Sequence, residues 1–150
     1  LAQCCVCAWI FEDPESVIIL ADAAGQPARV AAVLLSGDGI FYTDMAPSKL
    51  LLGMFHSRED NQILGLEILS IALGLCSFAP FIKKKHIRLF SDNTGAEAAV
   101  RKGASKQFDH SSLTHAIWMK MVRLQSSLFV DRVPTKDNLA DLPSRQCYDL

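Results

Sequence analysis

Ser16-Val-Ile-Ile-Leu-Ala-Asp22 is the stretch on which the reading of this chain turns. Val17 to Leu20 run without a polar break, as in a strand covered on both faces, and the run ends on a carboxylate. The strand is read as Ser16–Ala23. Gly25, Gln26 and Pro27 then make a turn, Arg29–Leu35 a second β run, and Ser36-Gly37-Asp38-Gly39 another turn before Ile40–Met45. Three consecutive strands joined by tight turns predict an antiparallel meander.

Downstream the period changes. Ala46–Arg58 is irregular, and Asn61–Phe78 reads as a helix apolar on nearly every face, which predicts burial, with Pro80 ending it. His86–Ser91 is a fourth strand. Thr94-Gly-Ala-Glu97 has capping-box spacing and Gly103 is a stop signal, so Gly95–Lys102 is a helix punctuated at both ends. Ser111–Gln125 carries Leu113, Ile117, Met121 and Leu124 on one stripe, Ser127–Val133 is a fifth strand, and Leu139–Leu142 a short helix before Pro143. The order βββαβααβα predicts one α/β domain over residues 16–146, with 1–15 as an extension or linker and 147–150 as a tail.

Composition agrees with a folded domain and excludes several alternatives. Of 150 residues, 50% are apolar and 21% charged, with mean hydropathy +0.20, which is too apolar for a disordered tail. No unbroken apolar run is long enough for a membrane span: Ile63–Phe81 is interrupted by Glu67, Ser70, Gly74 and Pro80. The start at Leu1 instead of Met predicts a fragment of a longer protein, and Leu1–Phe11 lacks a basic leader. Cys4, Cys5, Cys7, Cys76 and Cys147 give an odd count without a CxxC pair; reduced thiols in an intracellular protein are expected rather than a zinc site.

The informative residues are acids in unfavourable places. Asp22 ends the most apolar strand, Glu67 lies inside the apolar helix, Asp92 follows the fourth strand, and Asp141 stands two residues before Pro143. A buried carboxylate costs several kcal/mol or takes up a proton, unless a cation neutralises it. Gathered together, such groups repel one another in the absence of divalent ions, and an all-oxygen set favours Mg²⁺ or Mn²⁺ over zinc. Read singly, each is equally a turn, cap or surface acid; Glu67 resists that reading best, because its helix offers no polar face.

Four segments in this order resemble the ribonuclease H family, and most closely the ribonuclease H domains attached to reverse transcriptases of retroelements. They are Ile19-Leu-Ala-Asp-Ala-Ala-Gly25, Leu66-Glu-Ile-Leu-Ser-Ile-Ala-Leu-Gly74, Leu89-Phe-Ser-Asp-Asn-Thr-Gly-Ala96 and Arg132-Val-Pro-Thr-Lys-Asp-Asn-Leu-Ala-Asp-Leu-Pro-Ser-Arg145. The resemblance implies a five-stranded mixed sheet of order 3-2-1-4-5 with helices on both faces. It implies Asp22, Glu67, Asp92 and Asp141 as catalytic acids holding two Mg²⁺ ions, with Mn²⁺ as the alternative, ~4 Å apart. The implied reaction is endonucleolytic hydrolysis of the RNA strand of an RNA/DNA hybrid, leaving 5′-phosphate and 3′-hydroxyl ends. The implied partners are the hybrid and a linked or associated polymerase domain.

Two departures are visible. Many relatives carry a His in the loop before the last acid; Pro134-Thr-Lys-Asp-Asn138 has none, so either Lys136 substitutes in part or turnover is slower. Ala23-Ala24 lacks a hydroxyl that some relatives offer the substrate. The acid order Asp, Glu, Asp, Asp argues against integrases and transposases, whose Glu comes last, and Asp22-Ala23-Ala24 lacks the Asp-x-Glu of proofreading exonucleases. The remaining rival is a non-catalytic nucleic-acid-binding or spacer domain derived from a retroelement.

The net charge of −1 conceals an uneven distribution. Residues 83–106 hold seven bases (Lys83, Lys84, Lys85, Arg88, Arg101, Lys102, Lys106) and two acids, whereas residues 11–67 hold nine acids against three bases. The basic segment is either a solvated cluster or a track for a phosphate backbone. Lys83, Lys84, Lys85, Arg101 and Lys102 of this segment are candidate nucleic-acid contacts, and the resemblance adds Lys136 and, as a hydrogen-bond donor, Asn93. Trp118 is read as helix packing.

Overall fold

A computed structural model describes residues 15–148 apart from Arg58, Asp60 and Asn61; the three N-terminal cysteines and nearly all of the expected extension lie outside the described residues. Strands β1 (Ser16–Gly25), β2 (Ala28–Ser36) and β3 (Gly39–Met45) form the expected meander, the first turn carrying a cis Gln26–Pro27 peptide. They are followed by α1 (Lys49–Leu52), α2 (Ile63–Ser77), α3 (Ala79–Ile82), β4 (His86–Ser91), α4 (Thr94–Lys102) and α5 (Phe108–Leu124). Strand β5 (Ser127–Arg132), a 3₁₀ turn at Thr135–Asp137 and α6 (Asp141–Ser144) complete the chain. The sheet order is β3-β2-β1-β4-β5, the order the resemblance implied. Strands β1–β2 and β2–β3 pair antiparallel, β1–β4 and β4–β5 parallel.

Burial explains which strands read as continuous apolar runs. β1 and β2 sit inside the sheet and bury both faces. On one face Val17, Ile19, Ala21, Ala32 and Leu34 meet Ile68, Ile71 and Leu75 of α2, with Val100, Ile117 and Met121 of α4 and α5 extending the same core. On the other, Ile18, Leu20, Val33 and Leu35 pack with Ala140, just before α6. The edge strands β3 and β5 are polar or half-exposed by comparison. Helix α2 approaches closely at Gly74, where an added Cβ would stand 2.8 Å from the Cβ of Ala32 and 3.4 Å from Ile19 Cγ2.

Several boundaries differ from the sequence expectation for identifiable reasons. The cap of α4 is Asn93, not Thr94: its Oδ1 accepts from the backbone N–H groups of Gly95 and Ala96, both at 3.0 Å. Helix α2 stops at Ser77, before Pro80 as expected, but Pro80 itself stands in the first turn of a further short helix, α3, and Pro143 lies inside α6; both occupy first-turn positions, where no intrahelical donor is needed. Helix α5 begins three residues early, at Phe108. The irregular segment before α2 holds the one-turn helix α1, capped by Ser48. Within the expected tail, Tyr148 stacks on Tyr42 with ring centroids 5.6 Å apart and its hydroxyl meets Asp44, which also pairs with Arg29.

Candidate metal centre

The parallel ladder between β1 and β4 ends at the pair Ala21 and Ser91. The next residue along the chain is an acid in both cases: Asp22, still within β1, and Asp92, directly after β4. Two central strands thus stop pairing where each presents a carboxylate, side by side at the carboxyl ends of the sheet. Glu67 arrives from above, as the fifth residue of α2. This helix runs back along β1: Gly74 lies on Ile19, and seven residues of helix cover about 10 Å, as do the three strand residues from Ile19 to Asp22. Register and helix rise therefore deliver Glu67 to Asp22.

Asp22, Glu67 and Asp92 each offer an oxygen within 4.8 Å of the others. Asp22 and Glu67 are 4% and 5% exposed, and Glu67 Oε2 is buried without a hydrogen-bond partner among the described residues. Burial raises the Glu67 carboxyl to about 9, helped by the charges of Asp22 and Asp92 and opposed by a hydrogen bond from the Ala23 backbone. Burial likewise raises Asp22, and the hydrogen bond from Ser144 opposes it; Asp92 and Asp141 push it up further, Arg145 pulls it down, and it settles at about 6. A desolvated, mutually repelling oxygen set with one orphan acceptor fits a divalent cation, which supplies the missing partner and charge at once.

The fourth expected acid stands beside this group rather than in it. Asp141 is close enough to act on Asp22, but its Oδ1 accepts from Arg145 Nε at 2.7 Å on the exposed side of α6. Three other residues of the same segment were not assigned roles by sequence reasoning. Ser144 donates to Asp22 Oδ2 at 2.5 Å, Asn138 Nδ2 donates to the Ala21 carbonyl at 3.0 Å, and Arg145 pairs with Asp141. Asn138, Ser144 and Arg145 all stand within the fourth quoted segment, which was the only signal for them.

The basic candidates divide. Lys83, Lys84 and Lys85 precede β4, so its six residues, about 20 Å of strand, separate them from Asp92. The structure does not bring them to the acids. Arg101 is exposed in an ion pair with Glu97 at 2.8 Å. Lys102 closes α4, and with Gly95, Ala98, Ser105 and Lys106 it lines an open groove running from the helix start beside Asp92. Lys136 lies in the 3₁₀ turn immediately before Asn138. Asn93 spends its Oδ1 on the cap. Trp118 packs on the core, its Nε1 donating to the Val100 carbonyl at 2.8 Å. A largely apolar cavity of about 330 Å³, lined by Leu51, Met54, Phe55, Phe108 and Leu113 with His56, Asp109 and Ser112, contains none of Asp22, Glu67, Asp92 and Asp141.

No protein-family model matches the sequence, and no curated protein matches it. Solved structures do match the fold. RNase H1 of the halophilic archaeon Halobacterium salinarum superposes with TM-score 0.67 at 19% identity, over 89% of this chain and 98% of that one. LC11-RNase H1, solved in complex with an RNA/DNA hybrid, gives 0.66 at 13% identity over 89% and 96%. A foamy viral protease-reverse transcriptase, also solved with an RNA/DNA hybrid, gives 0.56 at 10% identity over 90% of this chain and 20% of that one. The fold is that of ribonuclease H. Among the described residues no helix is long and apolar enough to cross a membrane.

Proposed function

We propose that this chain is a metal-dependent ribonuclease H that hydrolyses the RNA strand of RNA/DNA hybrids, acting as the ribonuclease H domain of a reverse transcriptase. The observation that carries the reading is the convergence of Asp22, Glu67 and Asp92, from three separate elements, within 4.8 Å. These three would hold two Mg²⁺ ions, or Mn²⁺, with Asp141 beside them. Bound ions supply positive charge to the entering and departing oxygens of the phosphodiester.

The protein's own contribution is placement. Asp22 lies inside β1, paired with Ala31 of β2, and Asp92 directly follows β4, so the scissile phosphate would meet a preset geometry set by the sheet. In the hydrolysis a water oxygen bonds to phosphorus and the bond to the 3′ oxygen breaks. The water's proton passes to solvent and the 3′ oxygen takes one up, leaving 5′-phosphate and 3′-hydroxyl ends. The Asn93 amide directly after Asp92, Lys136 in the turn before Asn138 and Lys102 at the end of α4 are the residues proposed to touch the hybrid. Lys83, Lys84 and Lys85 would meet only substrate extending well beyond the cleaved bond, and Arg101 would have to leave its ion pair with Glu97 to reach it. Selection of RNA requires contacts to its 2′-hydroxyls across the minor groove.

The test is cleavage of a labelled RNA strand in Mg²⁺, presented as hybrid, as single strand and as duplex RNA. Cleavage confined to the hybrid is expected. No cleavage by folded protein, or equal cleavage of all three, overturns the reading and favours a non-catalytic binding domain.

A further inference from the structure

Asp22 is gripped by a segment more than a hundred residues away in the chain. Ser144, 2% exposed, donates its hydroxyl to Asp22 Oδ2 at 2.5 Å, the shorter of its two contacts, the Asp141 carbonyl of its own helix being the other acceptor at 3.0 Å. Asn138, 4% exposed, donates its amide to the Ala21 carbonyl at 3.0 Å. The same amide lies 3.5 Å from Asp22 Oδ1, while Asn138 Oδ1 accepts from the Ala140 backbone at 3.2 Å. Packing alone does not account for a buried hydroxyl here: alanine fills nearly the same space without the cost of burying a polar group. Nor does α6 hold itself, since a four-residue helix is below any length stable alone. Its anchor is Ala140, fully buried in the second core beside Leu20 and Val33.

We infer that Ser144 and Asn138 are positioning residues, a clasp that fixes the Asp22 carboxylate in the orientation a divalent cation needs. The hydroxyl locks one carboxylate oxygen. Each such oxygen has two lone pairs, so capacity remains toward Glu67 and Asp92. Asn138 meanwhile holds the peptide directly before Asp22, at the point where pairing with β4 ends. The hydrogen bond from Ser144 also favours the ionised carboxylate against the burial that opposes it. The clasp rests on the three acids being a cation centre and is independent of which nucleic acid is cut.

The experiment is calorimetric titration of the full chain with Mg²⁺ alone, together with melting in EDTA. Ser144→Ala is expected to weaken Mg²⁺ binding about 10- to 100-fold, and Asn138→Ala by about tenfold, as removal of groups that orient metal ligands does. Ser112→Ala, on an exposed face of α5, should bind as the wild type does. A Ser144→Ala protein that melts lower yet binds Mg²⁺ unchanged assigns Ser144 to packing and overturns the inference. Should that variant not fold, Ser144→Cys, similar in shape but a weaker donor, makes the same comparison. Wild-type protein that binds Mg²⁺ more tightly than Ser144→Ala but leaves hybrids intact sinks the proposed function while sustaining the clasp. Wild-type protein that takes up no Mg²⁺ removes both.

Discussion

Replacing Glu67 by glutamine should make the metal-free protein more stable, the reverse of the usual outcome for a buried polar residue. The folded chain raises the Glu67 carboxyl from its ordinary 4.5 to about 9, through burial first and then the charges of Asp22 and Asp92. At pH 7 the fold therefore keeps a proton that the unfolded chain has released. Stability is lost as pH rises from about 4.5 toward 9, because the native state binds more protons throughout that window. At ~1.4 kcal/mol per pH unit the cost accumulated by pH 7 is about 3 kcal/mol. Glutamine removes it, and its amide can donate toward Asp22 and Asp92. For a domain of this size that is a rise of about 6–12 °C in melting temperature in EDTA at pH 7, shrinking to nearly nothing at pH 4.5.

Added Mg²⁺ should invert the comparison. A ligand at a hundred times its dissociation constant adds about 2.7 kcal/mol to a fold that binds it. Wild type should gain that increment and Glu67→Gln should lose most of it. Thermal melts of both proteins at pH 4.5, 6, 7 and 8, with EDTA and with Mg²⁺, read all of these quantities. Destabilisation by Glu67→Gln in EDTA at pH 7, or a difference independent of pH, would show that Glu67 is not held desolvated beside two other acids.

Other outcomes follow from the same geometry. The Mg²⁺ increment of the wild type should grow between pH 5 and pH 8, because the ion must displace the proton on Glu67 and, below about 6, that on Asp22; a calorimetric pH series checks this. Gly74→Val should destabilise by about 1–3 kcal/mol in denaturant melts, since even a Cβ meets Ala32 at 2.8 Å and the helix must retreat from β2. Asn93→Ala should cost about 1 kcal/mol through lost capping of α4; equal stability of the two proteins would contradict the cap. Lys102→Ala should weaken hybrid binding and flatten its salt dependence by about one counterion, whereas Lys84→Ala, at the far end of β4, should do neither with a short hybrid.

The parts of the fold legible in the sequence were those fixed by local pattern. The apolar runs of β1 and β2 announced strands buried on both faces, and the turns between them fixed the meander. The strand order came from the resemblance alone. Asp22, Glu67 and Asp92 stood out because each interrupts an apolar element where a charge is costly. The clasp was silent for the opposite reason: serine and asparagine are ordinary loop residues, and their partner lies 116 to 122 positions away. The α4 cap was misplaced by one residue because Asn93 and Thr94 are both good caps, and only the backbone distinguishes them. The basic segment looked continuous along the chain, yet β4 carries its first three lysines to the opposite end of the sheet from Asp92. A charge count over sequence cannot register that separation.

The central claim is that Asp22, Glu67 and Asp92 form a metal-dependent nuclease centre. Single-turnover cleavage of a labelled RNA/DNA hybrid in Mg²⁺, wild type against a folded Asp92→Asn protein with end-group analysis of the products, tests it most directly. Wild type should yield 5′-phosphate and 3′-hydroxyl ends, stop on addition of EDTA, and exceed Asp92→Asn by at least about a hundredfold. Equal rates from the two proteins, or cleavage that persists in EDTA, would contradict it.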